Sequence, residues 1–190
     1  MRLFLAIPIP ETIAERVQSI CRGLPDVRWV PTEQLHVTLR FLGDEISESR
    51  FEEIVEALGS VTSPGFTLRL RGVGRFLHPR APQVLWLGVE EEPALIELHR
   101  RIEHQLRKSG FSAEKRAFEA HVTLARLKGV SDQRVADYLN LHADFEAGSF
   151  AVEDFILYSS VLRPGGARHT IEEVFPLTPA FVPGNRSHDS

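Results

Sequence analysis

Two spacings of apolar positions alternate along the chain. Leu3, Phe4, Leu5, Ala6 and Ile7 form a short unbroken run stopped by Pro8 and Pro10, which predicts a buried strand. With Pro10 in a first-turn position, Ile13, Val17 and Ile20 then recur at helical steps up to Gly23, which predicts a helix. Leu35 to Leu42 reads as the next strand, bounded by Pro31 and Gly43-Asp44. Ser49-Arg50-Phe51-Glu52 fits a capping box for a helix whose stripe is Phe51, Ile54, Val55 and Leu58. Phe66 to Val73 alternates apolar with polar, Val84 to Val89 is a second strand, and the two are expected to pair antiparallel around a loop from Gly74 to Gln83. Pro93 opens a long helix with Leu95, Leu98, Ile102 and Leu106 on one face, ending near Lys108 and Gly110. A strand from Ala120 to Leu127 and a helix from Ser131 with Val135 and Leu139 follow. Strands from Phe150 to Tyr158 and from His169 to Phe175 close the order.

Two of these strands carry the same tetrapeptide, His36-Val37-Thr38-Leu39 and His121-Val122-Thr123-Leu124. Helix, motif strand and helix recur in the same order in both halves, which suggests a diverged internal repeat. Alternation projects His36 and Thr38 to one side and Val37 and Leu39 to the other, and does the same for the second motif. Each motif therefore presents one imidazole and one hydroxyl on an apolar backing. A cyclic phosphodiester needs a base for the attacking water, an acid for the departing oxygen and donors for the non-bridging oxygens. Two histidines and two threonines supply these. A single His-x-Thr is most often structural; its recurrence in two strands points to chemistry. Zinc would need a third ligand, and neither motif contains a neighbouring histidine, cysteine or carboxylate. No metal and no cofactor is required.

Composition narrows the setting. The 190 residues carry a formal charge of −4, against a protein that coats long nucleic acid but compatible with a small or terminal nucleic-acid ligand. Cys21, the one cysteine, sits among Ile13, Val17 and Ile20 and is expected to be a buried core thiol. A disulfide scaffold is excluded, and the absence of a membrane-length apolar run and of a cleavable leader points to the cytoplasm. Trp29 and Trp86 are expected in the core, His99 and His104 on a helix surface, and His78 and His142 in loops. Gly72-Val73-Gly74 is too short for a dinucleotide fingerprint, while Arg75-Phe76 and the stretch around Arg80 are expected to line a cleft.

The motifs and their flanks resemble the RNA 2′,3′-cyclic phosphodiesterases, also called 2′-5′ RNA ligases, of the 2H phosphoesterase superfamily. The resemblance runs from Arg2 to about Leu177. It is carried by Arg2-Leu3-Phe4-Leu5-Ala6-Ile7, Leu35-His36-Val37-Thr38-Leu39-Arg40-Phe41-Leu42-Gly43, Val84-Leu85-Trp86-Leu87-Gly88, His121-Val122-Thr123-Leu124-Ala125-Arg126 and Ser160-Val161-Leu162-Arg163-Pro164-Gly165-Gly166. It implies an α+β fold of two pseudo-symmetric lobes, with antiparallel sheets facing a central cleft and helices outside. The domain would be a single one over residues 1–178, with 179–190 a flexible tail.

It further implies metal-independent hydrolysis of RNA or oligonucleotide 2′,3′-cyclic ends to 2′-phosphomonoesters, with reversal to a 2′-5′ bond. His36 is implied as general acid, His121 as general base, Thr38 and Thr123 as phosphate ligands and Arg126 as a cationic clamp. Strict alternation, however, puts Arg126 opposite His121 unless a bulge intervenes and makes Arg40 the better-oriented arginine. Two positions depart from the family pattern: Ala120 stands where proline is frequent, and His169 where tyrosine is frequent. A monomer acting on RNA ends or small nucleotides is expected. The alternatives are a non-catalytic module for phosphorylated RNA ends and a phosphodiesterase of a small cyclic nucleotide.

Overall fold

The computed structural model describes residues 1–77, 82–163 and 166–179. Its strands are β1 (Leu3–Pro8), β2 (His36–Gly43), β3 (Phe66–Phe76), β4 (Gln83–Val89), β5 (His121–Leu127), β6 (Glu146–Val152), β7 (Asp154–Arg163) and β8 (Gly166–Pro176). The helices are α1 (Glu11–Gln18), α2 (Glu48–Gly59), α3 (Pro93–Lys108) and α4 (Asp132–Leu141). All strand pairings in the sheet are antiparallel, in the order β6-β3-β4-β5-β2-β1-β7-β8. The α+β class holds, and its two halves are β2-β1-β7-β8, here lobe A, and β5-β4-β3-β6, lobe B. A single residue pair, Val37 with Val122, joins them into one sheet.

The lobes are not the two halves of the sequence. The chain makes β1 and β2 in lobe A, crosses to lobe B for β3 to β6, and returns for β7 and β8. This return explains why the stretch predicted as one strand from Phe150 to Tyr158 is two. The chain leaves β3 at the end of β6, breaks at Glu153 and joins β1 as β7. The repeated unit is instead strand, helix, motif strand: β1-α1-β2 and β4-α3-β5.

Within that unit the registers coincide. Pro8 pairs with His36 and Ala6 with Thr38, as Gly88 pairs with His121 and Trp86 with Thr123. Each unit then has a bulge at the same place, between Leu5 and Ala6 and between Leu85 and Trp86. Bulges bend a strand and increase its twist, so both motif strands turn at equivalent points.

Helix stripes cover one face of the sheet. Ile13, Ala14 and Val17 of α1, Ile54 and Leu58 of α2, Leu95, Leu98, Ile102 and Leu106 of α3, and Val135 and Tyr138 of α4 are buried. They form one core with Leu5, Ile7, Val37, Leu39, Leu85, Leu87, Val122 and Leu124. The α2 helix starts earlier than its predicted box: Ser47 is the N-cap, and its hydroxyl accepts from the Arg50 amide. Cys21 is buried, as its spacing predicted, and burial pushes its thiol up to about 11. The β3–β4 connection is shorter than the predicted loop, because β3 runs to Phe76 and β4 starts at Gln83. His78, Arg80 and residues 180–190 lie outside the described residues, while Thr178 still bonds Ser63 and Gly65 through its backbone.

Candidate active site

β2 and β5 meet antiparallel at two fully buried valines, Val37 and Val122. One step either way sets His36 across from Thr123 and Thr38 across from His121, all four on the face away from the helices. Opposed Cβ atoms in such a pair lie about 5 Å apart and diagonal ones about 7–8 Å. The two imidazoles are thus on a diagonal that a phosphate group can span.

Their rings are held alike. Nδ1 of His36 lies 2.7 Å from the Gln34 carbonyl oxygen, and Nδ1 of His121 lies 2.7 Å from that of Glu119. A carbonyl oxygen only accepts, so Nδ1 carries the proton in both neutral rings and Nε2 is left free. Sequence reasoning missed these anchors, although each stands two residues before its histidine, where the chain enters the strand.

The bulges correct the parity argument for the arginines. Past the bulge in β5, Arg126 pairs with Val84 while Trp86 pairs with Thr123, which returns Arg126 to the face of His121 and Thr123. It is exposed there and makes no ion pair among the described residues. Arg40, favoured by strict alternation, sits in the bulge of β2 opposite Leu5 and so points to the helix side. It is 8% exposed, 2.9 Å from Glu103 of α3, paired with Glu114, and donates to the Ser112 carbonyl at 2.7 Å. The residue of lobe A equivalent to Arg126 is Phe41, which pairs with Phe4.

Aromatic rings line the site on both sides. The rings of Phe4 and His169 lie 5.1 and 5.4 Å from that of His36, and the Phe76 ring meets His121 edge-on at 4.9 Å. Phe76 therefore lines the site as expected. Arg75 points the other way, to Asp132 at 2.7 Å.

Trp86 is not a core residue. It shares the motif face with Thr123, and its indole occupies the space that a Cβ on Gly74 would take, 2.2 Å from the ring. Trp29 does pack on the core, beside Tyr138. Burial drives the His36 pKa down to about 4, with His169 and His121 adding to the fall and the Gln34 carbonyl opposing it. Burial, and then Arg2, also lower that of His169.

The other histidines stand apart. His104 is exposed as expected, but His99 is half-buried, stacked on Phe118 at 4.0 Å, and lowered in pKa mainly by that burial. His142 borders an open cavity of about 530 Å³ with Arg22, Arg134 and Tyr138, which includes no motif residue. Among the described residues no three metal-ligating side chains converge. No helix of the described residues is long and apolar enough to cross a membrane.

Against known families, the sequence model of the 2′-5′ RNA ligase superfamily matches residues 9–162. The chain belongs to that superfamily. An RNA 2′,3′-cyclic phosphodiesterase of Archaeoglobus fulgidus is 38% identical over 92% of this chain and 99% of its own length. The Escherichia coli protein of the same name is 33% identical over 93% and 97%. Among solved structures, E. coli LigT complexed with 3′-AMP superposes with a TM-score of 0.76 at 33% identity, over 93% of this chain and 98% of that one. Kluyveromyces marxianus Usb1, at 17% identity and a TM-score of 0.55, shares the fold.

Proposed function

We propose that this superfamily member is a metal-independent phosphodiesterase that opens 2′,3′-cyclic phosphates at RNA ends and leaves a 2′-phosphomonoester. The observation that carries this reading is the pair of imidazoles on one face across the Val37–Val122 join, each with Nδ1 committed to a backbone carbonyl, which leaves Nε2 for the substrate. His121 takes a proton from water, and the water oxygen bonds to phosphorus. The bond from phosphorus to O3′ breaks, and His36 gives its proton to that oxygen. Thr38 and Thr123 donate to the non-bridging oxygens, and Arg126 supplies the positive charge. A 5′-hydroxyl attacking in place of water gives a 2′-5′ bond by the same proton transfers.

Burial disfavours the cationic His36 that an acid must be. A bound phosphate anion opposes that effect and charges the ring, so the acid is made when substrate arrives. A cytoplasmic, monomeric enzyme is part of the same reading; cell fractionation and light scattering test it.

The reaction itself is tested by incubating the protein with a 2′,3′-cyclic nucleotide and a cyclic-ended RNA in chelator and following both by phosphorus NMR. A 2′-phosphomonoester is expected. Unconverted substrate or a 3′-phosphate product would overturn the proposal, and binding without turnover would favour a recognition module.

A further inference from the structure

The motif face of lobe A continues past His36. The pairings of Phe4 with Phe41, Phe4 with Tyr158, and Tyr158 with Ile171 set one row of side chains across four strands. Beyond this row β7 and β8 project as a two-stranded ribbon. β1 pairs with β7 only from Ile156 to Ser159, whereas β7 pairs with β8 as far as Arg163. By alternation Leu162 falls on the face of Tyr158 and His169. It is 67% exposed, and Ile171, on the same face, is 56% exposed.

A single exposed aliphatic residue is ordinary. Here two share one face with the candidate site and are continuous with it. Arg163 and Arg168 rise from the reverse side of the ribbon, and neither makes an ion pair among the described residues. Neighbouring strands are about 5 Å apart, so long side chains reach round so narrow a ribbon. Glu172 and Glu173 follow Ile171 and bound the positive stretch. The corresponding reach of lobe B is internally neutralised: Arg69 and Arg71 are paired with Glu90 and Glu146.

Resting on the reaction proposed above, we infer that this ribbon seats the nucleotide that precedes the cyclic end of an RNA strand, its base against Leu162 and Ile171 and its phosphate within reach of Arg163 and Arg168. The occupant is single-stranded RNA, because only unpaired bases offer a free face to apolar side chains next to a cationic edge. The ribbon thereby distinguishes an oligonucleotide from a mononucleotide that bears the same cyclic phosphate.

The test compares kcat/KM for a 2′,3′-cyclic mononucleotide and for a hexanucleotide ending in it. The proteins are the wild type, Leu162→Ser with Ile171→Ser, and Arg163→Gln with Arg168→Gln. Wild type is expected to prefer the hexanucleotide, and the aliphatic double variant to lose about tenfold in the ratio of the two constants, equivalent to about 1.4 kcal/mol. The arginine variant should flatten the salt dependence of hexanucleotide KM, since each lost phosphate contact removes about 0.7 from the log–log slope.

An unaltered ratio and slope in both variants would overturn the inference, as would equal losses on both substrates. So would a change in self-association by light scattering without a change in the ratio, which would give the surface to a second copy of the chain. Wild type inactive on both substrates would instead overturn the reaction, a result distinct from active wild type whose substrate ratio ignores the ribbon.

Discussion

At the scale of residues, the proposal makes His36 and His121 separately necessary. His36→Ala and His121→Ala are each expected to lower kcat by about 10²- to 10⁴-fold, with unchanged circular dichroism. His36 is expected to stay neutral in the free protein down to about pH 4, and to titrate higher with phosphate bound; nitrogen-15 NMR of the ring reads both. The His36 pKa is lower in the fold, about 4 against an ordinary 6.5, so the unfolded chain binds the extra proton. Stability is therefore full above about pH 6.5 and declines as the pH falls towards 4, and His36→Ala should remove that part of the decline in thermal melts.

The two arginines part company in the same way. Arg126→Ala should cost turnover or KM with little change in Tm. Arg40→Ala should lower stability by about 3 kcal/mol, since it strands Glu103, 13% exposed, without its partner. Denaturant titration beside a turnover assay separates the two outcomes.

At the scale of elements, bulges decide which residues share a face, and they were the least legible feature. The twin His-Val-Thr-Leu strands were readable because alternation is local to a strand. A bulge depends on the partner strand, so nothing within Leu39-Arg40-Phe41 announces that Arg40 turns inward and Phe41 outward. The same limit hid Trp86, whose apolar surroundings in sequence suggested core and whose cross-strand partner is Thr123. His99 was misplaced because helix spacing alone says nothing of Phe118, which comes from the segment after the helix.

Gly74 makes this cross-strand packing testable. Gly74→Ala would put a methyl group 2.2 Å from the Trp86 ring, so the indole must move, and with it the Phe76 ring beside His121. Reduced kcat together with a changed tryptophan emission spectrum is the expected result. An unshifted spectrum with normal activity would count against a role for this packing in placing His121.

At the scale of the molecule, the order of elements was legible, but the assignment of strands to lobes was not. Periodicity gives each strand its period and length and leaves its neighbours open. Since β3 and β4 pair with β5 and β6 and not with β1 and β2, the first half of the chain has no complete sheet of its own. A fragment of residues 1–91 is expected to show poorly dispersed amide NMR signals, and to gain dispersion when mixed with residues 92–190. Independent folding of either fragment would contradict the importance of this crossing.

The join at Val37 and Val122 relates two imidazoles whose rings are fixed in the same way. Backbone geometry alone therefore gives neither one a standing claim to be donor or acceptor of the proton. What breaks the tie is the periphery: Phe41 in the place of Arg126, and His169 beside only one of the two rings. A substrate laid in the opposite sense would meet Phe41 where the phosphate otherwise meets Arg126, so the flanks fix the direction in which the proton passes. Handedness here belongs to the flanks and not to the twin motifs.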